Sequence, residues 1–509
     1  MLVKTYCAAV NGMEVTTVTV EVSITRGVLY HLTGLADVAV KESHDRIAAA
    51  LLNVGYKFPV ADITANLSPA DLRKEGSSFD LPLAIAILAA NEKMHSDRLG
   101  DYMLVGELSL DGTLQPIKGA LPIAIKARAE KFKGLIVPKA NEHEAAVVDS
   151  LDVYGMSNIM EVINFLNNAY APEPCFVDTR KEFYDSQYVS DLDFADVRGQ
   201  ESVKRALEVA AAGSHNVIMV GPPGSGKSMM AKRLPSILPP LSLNESLETT
   251  QIHSIAGKLK KNTGLIAQRP FRSPHHTISE VALVGGGMTP MPGEITLDHN
   301  GVLFTDELPE FKRSVLETLR QPIESGVVTV SRAAGSFEFP CEFILLAAMN
   351  PCPCGHYGDR LHTCRCGQKR IQDYRAKISG PLLDRIDLHV EVSSLTEREL
   401  LSAPDGENSA TIRERVIRAR EIQNERFKQT PKVKCNARME PADINKYCKI
   451  TMDAKVQLRH TILEFGLSAR AYDRILRVAR TVADLDGAAD ISSEHIFEAI
   501  NYRSLDRRL

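Results

Sequence analysis

Apolar positions over the first 165 residues change period several times. Val15 to Val22 alternates polar and apolar side chains, as a half-buried strand does, Asp45 to Leu52 has helical spacing, and Ile63 to Leu67 alternates again. From Leu81 to Ala90 every residue is apolar, which predicts a helix over about Pro82 to Ala90 buried on all sides. Residues 166–192 hold Pro172, Pro174 and scattered charges without a period, and read as a linker. A helix is then expected over Ala206 to Ala212. Short apolar runs follow at Asn216 to Val220, Gly301 to Thr305 and Phe343 to Met349, each closed by glycine or polar residues, the pattern of buried parallel strands. Beyond about residue 393 the spacing turns helical: Ile412 to Phe427, Pro441 to Lys449, Met452 to Phe465 with Gly466 as a stop, and a last helix from the cap at Ser468. The pattern predicts an α/β chain of three parts, 1–165, 193–392 and a helical 393–509.

Length and composition agree with several folded domains. The chain has 509 residues, 44% of them hydrophobic and 24% charged, ordinary globular proportions. A formal charge of −4 gives no global attraction to nucleic acid, so such a partner must be read from local patches. Residues 411–509 are one, with a net charge of +6. The same bias fits a lid that docks on an acidic partner. The apolar run at 81–90 is too short for a membrane span and residues 1–12 lack the layout of a signal peptide, so a cytoplasmic protein without a membrane partner is expected. Four of the nine cysteines crowd between Cys352 and Cys366, which favours a metal site in a reducing compartment over disulfides.

The most specific chemistry lies at Gly221-Pro222-Pro223-Gly224-Ser225-Gly226-Lys227-Ser228, between the strand ending at Val220 and a helix. Glycines let backbone N–H groups turn toward an oxyanion, the helix N-terminus adds partial positive charge, Lys227 reaches outer phosphates and Ser228 ligates Mg2+. About eighty residues on, an apolar strand ends in Asp306 and Glu307. An ATPase needs this pair: Asp306 to hold Mg2+ through water or Ser228, and Glu307 to orient the attacking water. Cys352, Cys354, Cys364 and Cys366 form two C-x-C pairs able to close a tetrahedral Zn2+ site, remote from hydrolysis, on a loop too polar to fold by burial. A redox-active thiol cluster, or a mixed site using His356 or His362, stays open.

Two resemblances add to this reading. Lys74 to Ala84, Gly106 to Ile117 and Leu135 to Pro138 resemble the catalytic fold of the Lon proteases, which RadA-type recombination proteins also carry. That resemblance places the protease's serine at Asp80 and its lysine at Leu121, so the dyad is missing, and Ser77 and Ser78 are not expected to replace it. The domain is then one for structure or binding.

The runs Pro270 to Ser279, Val284 to Gly287, Pro292 to Ile295, Asn300 to Glu310 and Leu319 to Pro322 resemble the magnesium chelatase-like AAA+ ATPases. The resemblance covers the chain: a Lon-protease-like N-terminal α/β domain, an AAA+ core with a parallel sheet, and a C-terminal helical lid. It implies ATP with Mg2+, and it implies roles. Asn350 contacts the γ-phosphate or its water, Arg385 reaches the nucleotide of a neighbouring subunit in a homohexamer, and Arg470, or failing it Arg474, senses the γ-phosphate. Each has a plainer alternative: a strand-end turn for Asn350, an ion pair with Asp384 or Asp387 for Arg385, a solvated helix face for Arg470. An insert at 273–298 with His275 and His276, and a hairpin at Val327 to Phe339 with Arg332, would face a central pore. The histidines are expected to hydrogen-bond within the insert. The implied partner is single-stranded or branched DNA, and the rival is a protein client of a chelatase-like or remodelling ATPase. The missing dyad argues against a third reading, an ATP-dependent protease.

Overall fold

The computed structural model describes residues 2–188, 191–260, 263–287, 290–332, 335–395, 406–430, 433–465 and 468–506. Gly466, expected to stop a helix, and the side chain of Arg332 lie outside the described residues. The chain forms two compact units, one of residues 1–185 with 243–267, the other of residues 186–242 with 268–509.

The first unit is built on a seven-stranded sheet. Its strands are β1 (Leu2–Asn11), β2 (Glu14–Thr25), β3 (Tyr30–Thr33), β4 (Asp62–Ser68), β5 (Tyr102–Leu104), β6 (Gly134–Pro138) and β7 (Asp152–Met156), in the order β3-β4-β2-β1-β5-β6-β7. β1 and β2 run antiparallel from Leu2 opposite Ser23 to Asn11 opposite Glu14, whereas β5, β6 and β7 are parallel. The helix Asp80–Ala90 is buried at all eleven positions, as its lack of a polar face predicts. The excursion 243–267, expected inside the 193–392 core, carries the helix Leu243–Ile255 and belongs to this unit. Leu247 and Leu265 pack on the unit's core, and Gly119 N–H donates to the Ser254 carbonyl. The expected linker contains a helix, Thr179–Ser186, anchored by buried Phe183.

The second unit holds β8 (Val217–Val220), β9 (Phe271–Arg272), β10 (Gly301–Thr305), β11 (Val327–Arg332), β12 (Gly335–Pro340), β13 (Phe343–Met349) and β14 (Leu388–Glu391). Five form an all-parallel sheet in the order β9-β10-β13-β8-β14. β8, β10 and β13 are buried along their whole length, because helices cover both faces of such a sheet. β11 and β12 pair as the expected hairpin, from Val327 opposite Pro340 to Arg332 opposite Gly335. The helices Ser409–Phe427, Pro441–Tyr447, Met452–Phe465, Ala469–Leu485 and Ser493–Asn501 form the C-terminal part. Gln423 Nε2 donates to the Ala212 carbonyl at 2.9 Å, and His215 Nε2 lies 2.8 Å from Thr481 Oγ1, so these helices are tied to the helix Glu201–Gly213 and the turn before β8.

Candidate functional site

Parallel strands all end at one edge, so whatever follows β8, β10 and β13 is brought together. Val220 pairs with Met349 and Thr305 with Ala347. Gly221 to Gly226, Asp306 and Asn350 therefore share the carboxyl edge. The loop after β8 turns through Gly224 and Gly226, at φ of 77° and 89°, and the helix Lys227–Ile237 begins at once. Such left-handed positions suit glycine and open the helix N-terminus to an anion.

Lys227 is buried, and its ammonium donates to the carbonyls of Gly221 at 2.7 Å and Pro222 at 2.8 Å, with Asn350 Oδ1 at 3.4 Å. Burial lowers its pKa, and Asp306 opposes that shift. Ser225 closes the loop through a 2.9 Å hydrogen bond to the Pro222 carbonyl. Ser228 Oγ donates to Asp306 Oδ2 at 2.7 Å, and Asp306 Oδ1 accepts from Glu307 N at 3.0 Å. This hydroxyl and carboxylate are hard oxygen donors of the kind Mg2+ takes alongside phosphate and water. Lys227, Ser228, Asp306 and Asn350 are thus brought into one site.

Glu307 stands at φ 52° and ψ 47°, a left-handed conformation uncommon for a side-chain-bearing residue. Its carboxylate is half exposed, with His276 Nδ1 at 3.5 Å from Oε2. His275 behaves as expected, its Nδ1 lying 2.9 Å from Thr277 Oγ1 inside the insert. His276 does not, and its contact with Glu307 was missed. Strand register carries the signal: Phe271 pairs with Val302 and Arg272 with Leu303, so continuing in step brings His276 opposite Glu307.

Arg385 and Arg470 lie elsewhere. Arg385 precedes β14 and so sits at the amino edge of the sheet. Its Nε lies 3.2 Å from Glu324 Oε2, Nη2 contacts the same carboxylate, and Nη1 donates to the Pro381 carbonyl at 2.8 Å. Glu324 is therefore its partner, instead of Asp384 or Asp387. Asp387 is held by Asn216 N at 3.0 Å, Arg474 Nε at 3.4 Å and His215 Nδ1 at 3.6 Å. Arg385, Arg470, Arg474 and Arg477 line one cavity of about 430 Å3. Arg474 Nη1 and Arg477 Nε are buried there without a hydrogen-bond partner among the described residues, donors suited to an anion. The structure joins Arg470 to Arg385 and places neither beside Lys227.

The four cysteines converge. Sγ of Cys352 lies 3.4 Å from Cys354 and 3.7 Å from Cys364, Cys354 is 3.6 Å from Cys364, and Cys366 completes a cluster whose sulfurs all lie within 4.8 Å of one another. All are free thiols. A Zn–S bond of about 2.3 Å sets tetrahedral edges of ~3.8 Å, which these separations approach. His356 and His362 form a separate group through Asp359 Oδ2, at 3.3 and 2.9 Å, so a mixed cysteine–histidine set is not what the fold assembles. Nor is the thiol loop remote from the phosphate site: Gly355 packs directly on Pro223. The loop starts at the end of β13, and β13 adjoins β8.

In the first unit Asp80 is buried in a two-point pair with Arg46, Nε to Oδ2 and Nη2 to Oδ1 both at 2.8 Å, and Leu121 is buried. Ser77 donates to Glu107. As expected, the two positions supply neither the hydroxyl nor the amine of a Ser/Lys dyad, and the Asp80 carboxylate is taken up by Arg46. Among the described residues no helix is long and apolar enough to cross a membrane.

Family models match in chain order: subunit ChlI of Mg-chelatase over residues 20–141, magnesium chelatase subunit ChlI over 193–400, and the C-terminal part of that subunit over 406–503. The chain is 44% identical over 507 residues to the protein YifB of Salmonella typhimurium, covering 98% of this chain and 97% of that one. It is 42% identical over 506 residues to the competence protein ComM of Haemophilus influenzae, covering 99% and 98%. It is 24% identical over 297 residues to the magnesium-chelatase subunit ChlI of Euglena gracilis, covering 54% and 74%.

Proposed function

The chain belongs to the magnesium chelatase-like family of ComM and YifB type, and on that footing we propose that it is a ring-forming AAA+ motor that hydrolyses ATP and acts on DNA, as a helicase or in branch migration during recombination or natural transformation. One observation carries the reading: Lys227, Ser228, Asp306 and Asn350 meet at the carboxyl edge of a sheet whose amino edge carries Arg385, which shares a cavity with Arg470. One subunit then holds the nucleotide, and a neighbour presents its arginines to it.

Bound ATP with Mg2+ supplies the phosphoanhydride whose cleavage drives the motor. Lys227 exchanges its two loop carbonyls for phosphate oxygens, and Ser228 and Asp306 take the metal. Glu307 orients water, Asn350 reads the outer phosphate, and Arg385 of the next subunit offsets charge as it develops. The four thiols are the donor set for a structural Zn2+. The first unit, resembling the Lon fold without its dyad, is a structural or binding domain.

DNA is favoured by the competence role in the name of one relative, the net charge of +6 over residues 411–509 and the β11–β12 hairpin. A protein client is the second reading, favoured by the likeness to a chelatase subunit. ATPase rates with and without single-stranded and branched DNA at several salt concentrations separate the two. Stimulation that fades with salt is expected if DNA is the client. An ATPase that responds to no DNA at any salt concentration removes it.

A further inference from the structure

The thiol loop and the phosphate loop are in contact. Residues 351–367 form no helix or strand, so a polar loop rests against the nucleotide site without a regular backbone of its own. Gly355 is at φ 84°, and a Cβ there would stand 2.6 Å from Pro223 Cδ. No other residue type fits so close to the loop that holds phosphate. Just before the loop, Asn350 faces Lys227, and Arg375 Nε donates to the Pro351 carbonyl at 3.2 Å. Cys352 is fully buried, and Cys366 N–H donates to Cys364 Sγ at 3.3 Å.

We propose that zinc held by Cys352, Cys354, Cys364 and Cys366 braces the phosphate loop through Gly355 and Pro223, so that metal binding and nucleotide binding favour each other. The proposal rests on the nucleotide reading above. Without the metal, four thiols and a polar loop have little to fix their fold, since a site of this kind gains its order from the ion. Pro223 then loses its support, and the loop around Lys227 reaches its binding shape less often. Coupling of this sort is reciprocal: nucleotide must tighten the hold on zinc by the factor by which zinc tightens the hold on nucleotide.

The test uses the full chain, purified under reducing conditions. One zinc per chain is expected by atomic emission. A fluorescent ATP analogue is titrated into zinc-loaded protein, protein stripped with a zinc-selective chelator, and protein with zinc restored, at constant Mg2+. If stripping cuts the binding-ready population to about a tenth, affinity falls about tenfold and returns with zinc. Saturating analogue is expected to raise zinc affinity by the same factor, read by competition with a chromophoric chelator. Gly355→Ala leaves every thiol in place and is expected to keep full zinc while weakening nucleotide binding. Protein that neither carries nor takes up zinc overturns the metal site. Zinc loss and Gly355→Ala that both leave nucleotide affinity unchanged overturn the brace. A chain that holds zinc but binds no nucleotide in any state overturns the phosphate-site reading, and the coupling with it, while the metal site stands.

Discussion

Lys227 is bonded to the loop it belongs to, so the phosphate binding proposed for it would be an exchange of partners and not the filling of an open charge. Glu307 is the opposite case, half exposed with an imidazole beside it. If Glu307 orients water as proposed, its carboxylate must be aimed, and His276, 3.5 Å away, is placed to aim it. His276→Ala is expected to lower kcat by about 10- to 100-fold, the scale of a misplaced reacting group, with KM for ATP near its original value. His276→Asn, which keeps a polar group at that reach, is expected to recover much of the loss. A rise in KM with kcat intact would remove His276 from this role. The phosphate loop, Asp306 and Asn350 were legible in the sequence because each is a short local run at a strand end. Glu324, the partner of Arg385, was not: it stands 61 positions away and only tertiary packing pairs them. The histidines were legible as a pair but not as individuals, since nothing local distinguishes the one that faces Glu307.

The helix Ala469–Leu485 shows how far element-level reading carries. Its start at Ser468 was legible, and the Ser468 hydroxyl does accept from Ala471 N. Its arginines looked like one solvated or sensing face, yet they divide. Arg470 is exposed, whereas Arg480 is 1% exposed and pairs with Asp484 Oδ1 at 3.1 Å, which also binds Arg426. Asn436 Nδ2 adds a 2.8 Å bond to Asp484 Oδ2. Helical periodicity locates a face but does not say which charges meet a buried partner. Asp484→Ala leaves two guanidinium groups facing an empty position and is expected to cost about 3–5 kcal/mol, measured as a lower denaturation midpoint. A variant as stable as the parent would mean that the network is replaceable. The helix Leu243–Ile255 was missed for a related reason: it follows the phosphate-loop helix in sequence, but it belongs to the other unit, where Leu247 packs on the core.

For the whole molecule, the order of strands β9-β10-β13-β8-β14 matters more than any one side chain, because it fixes which groups share an edge. Arg385→Ala is expected to leave nucleotide affinity unchanged and lower turnover by about 10³- to 10⁵-fold. Lys227→Ala removes the phosphate ligand but keeps the arginine. Mixing these two inactive variants is expected to restore part of the ATPase rate, since a mixed ring contains sites built from the intact half of each. Mixtures no more active than their components would place Arg385 and Lys227 in service of the same subunit. In the ring proposed above, the sheet with opposed edges would also give the assembly a direction. Each subunit offers a key on one side and a lock on the other, and a twofold pairing of like surfaces cannot join them, whereas a head-to-tail circle can. In an arc that has not closed, the subunit at one end keeps a lock that no key reaches. On the proposed reading it would load fuel but not burn it until the last gap is filled.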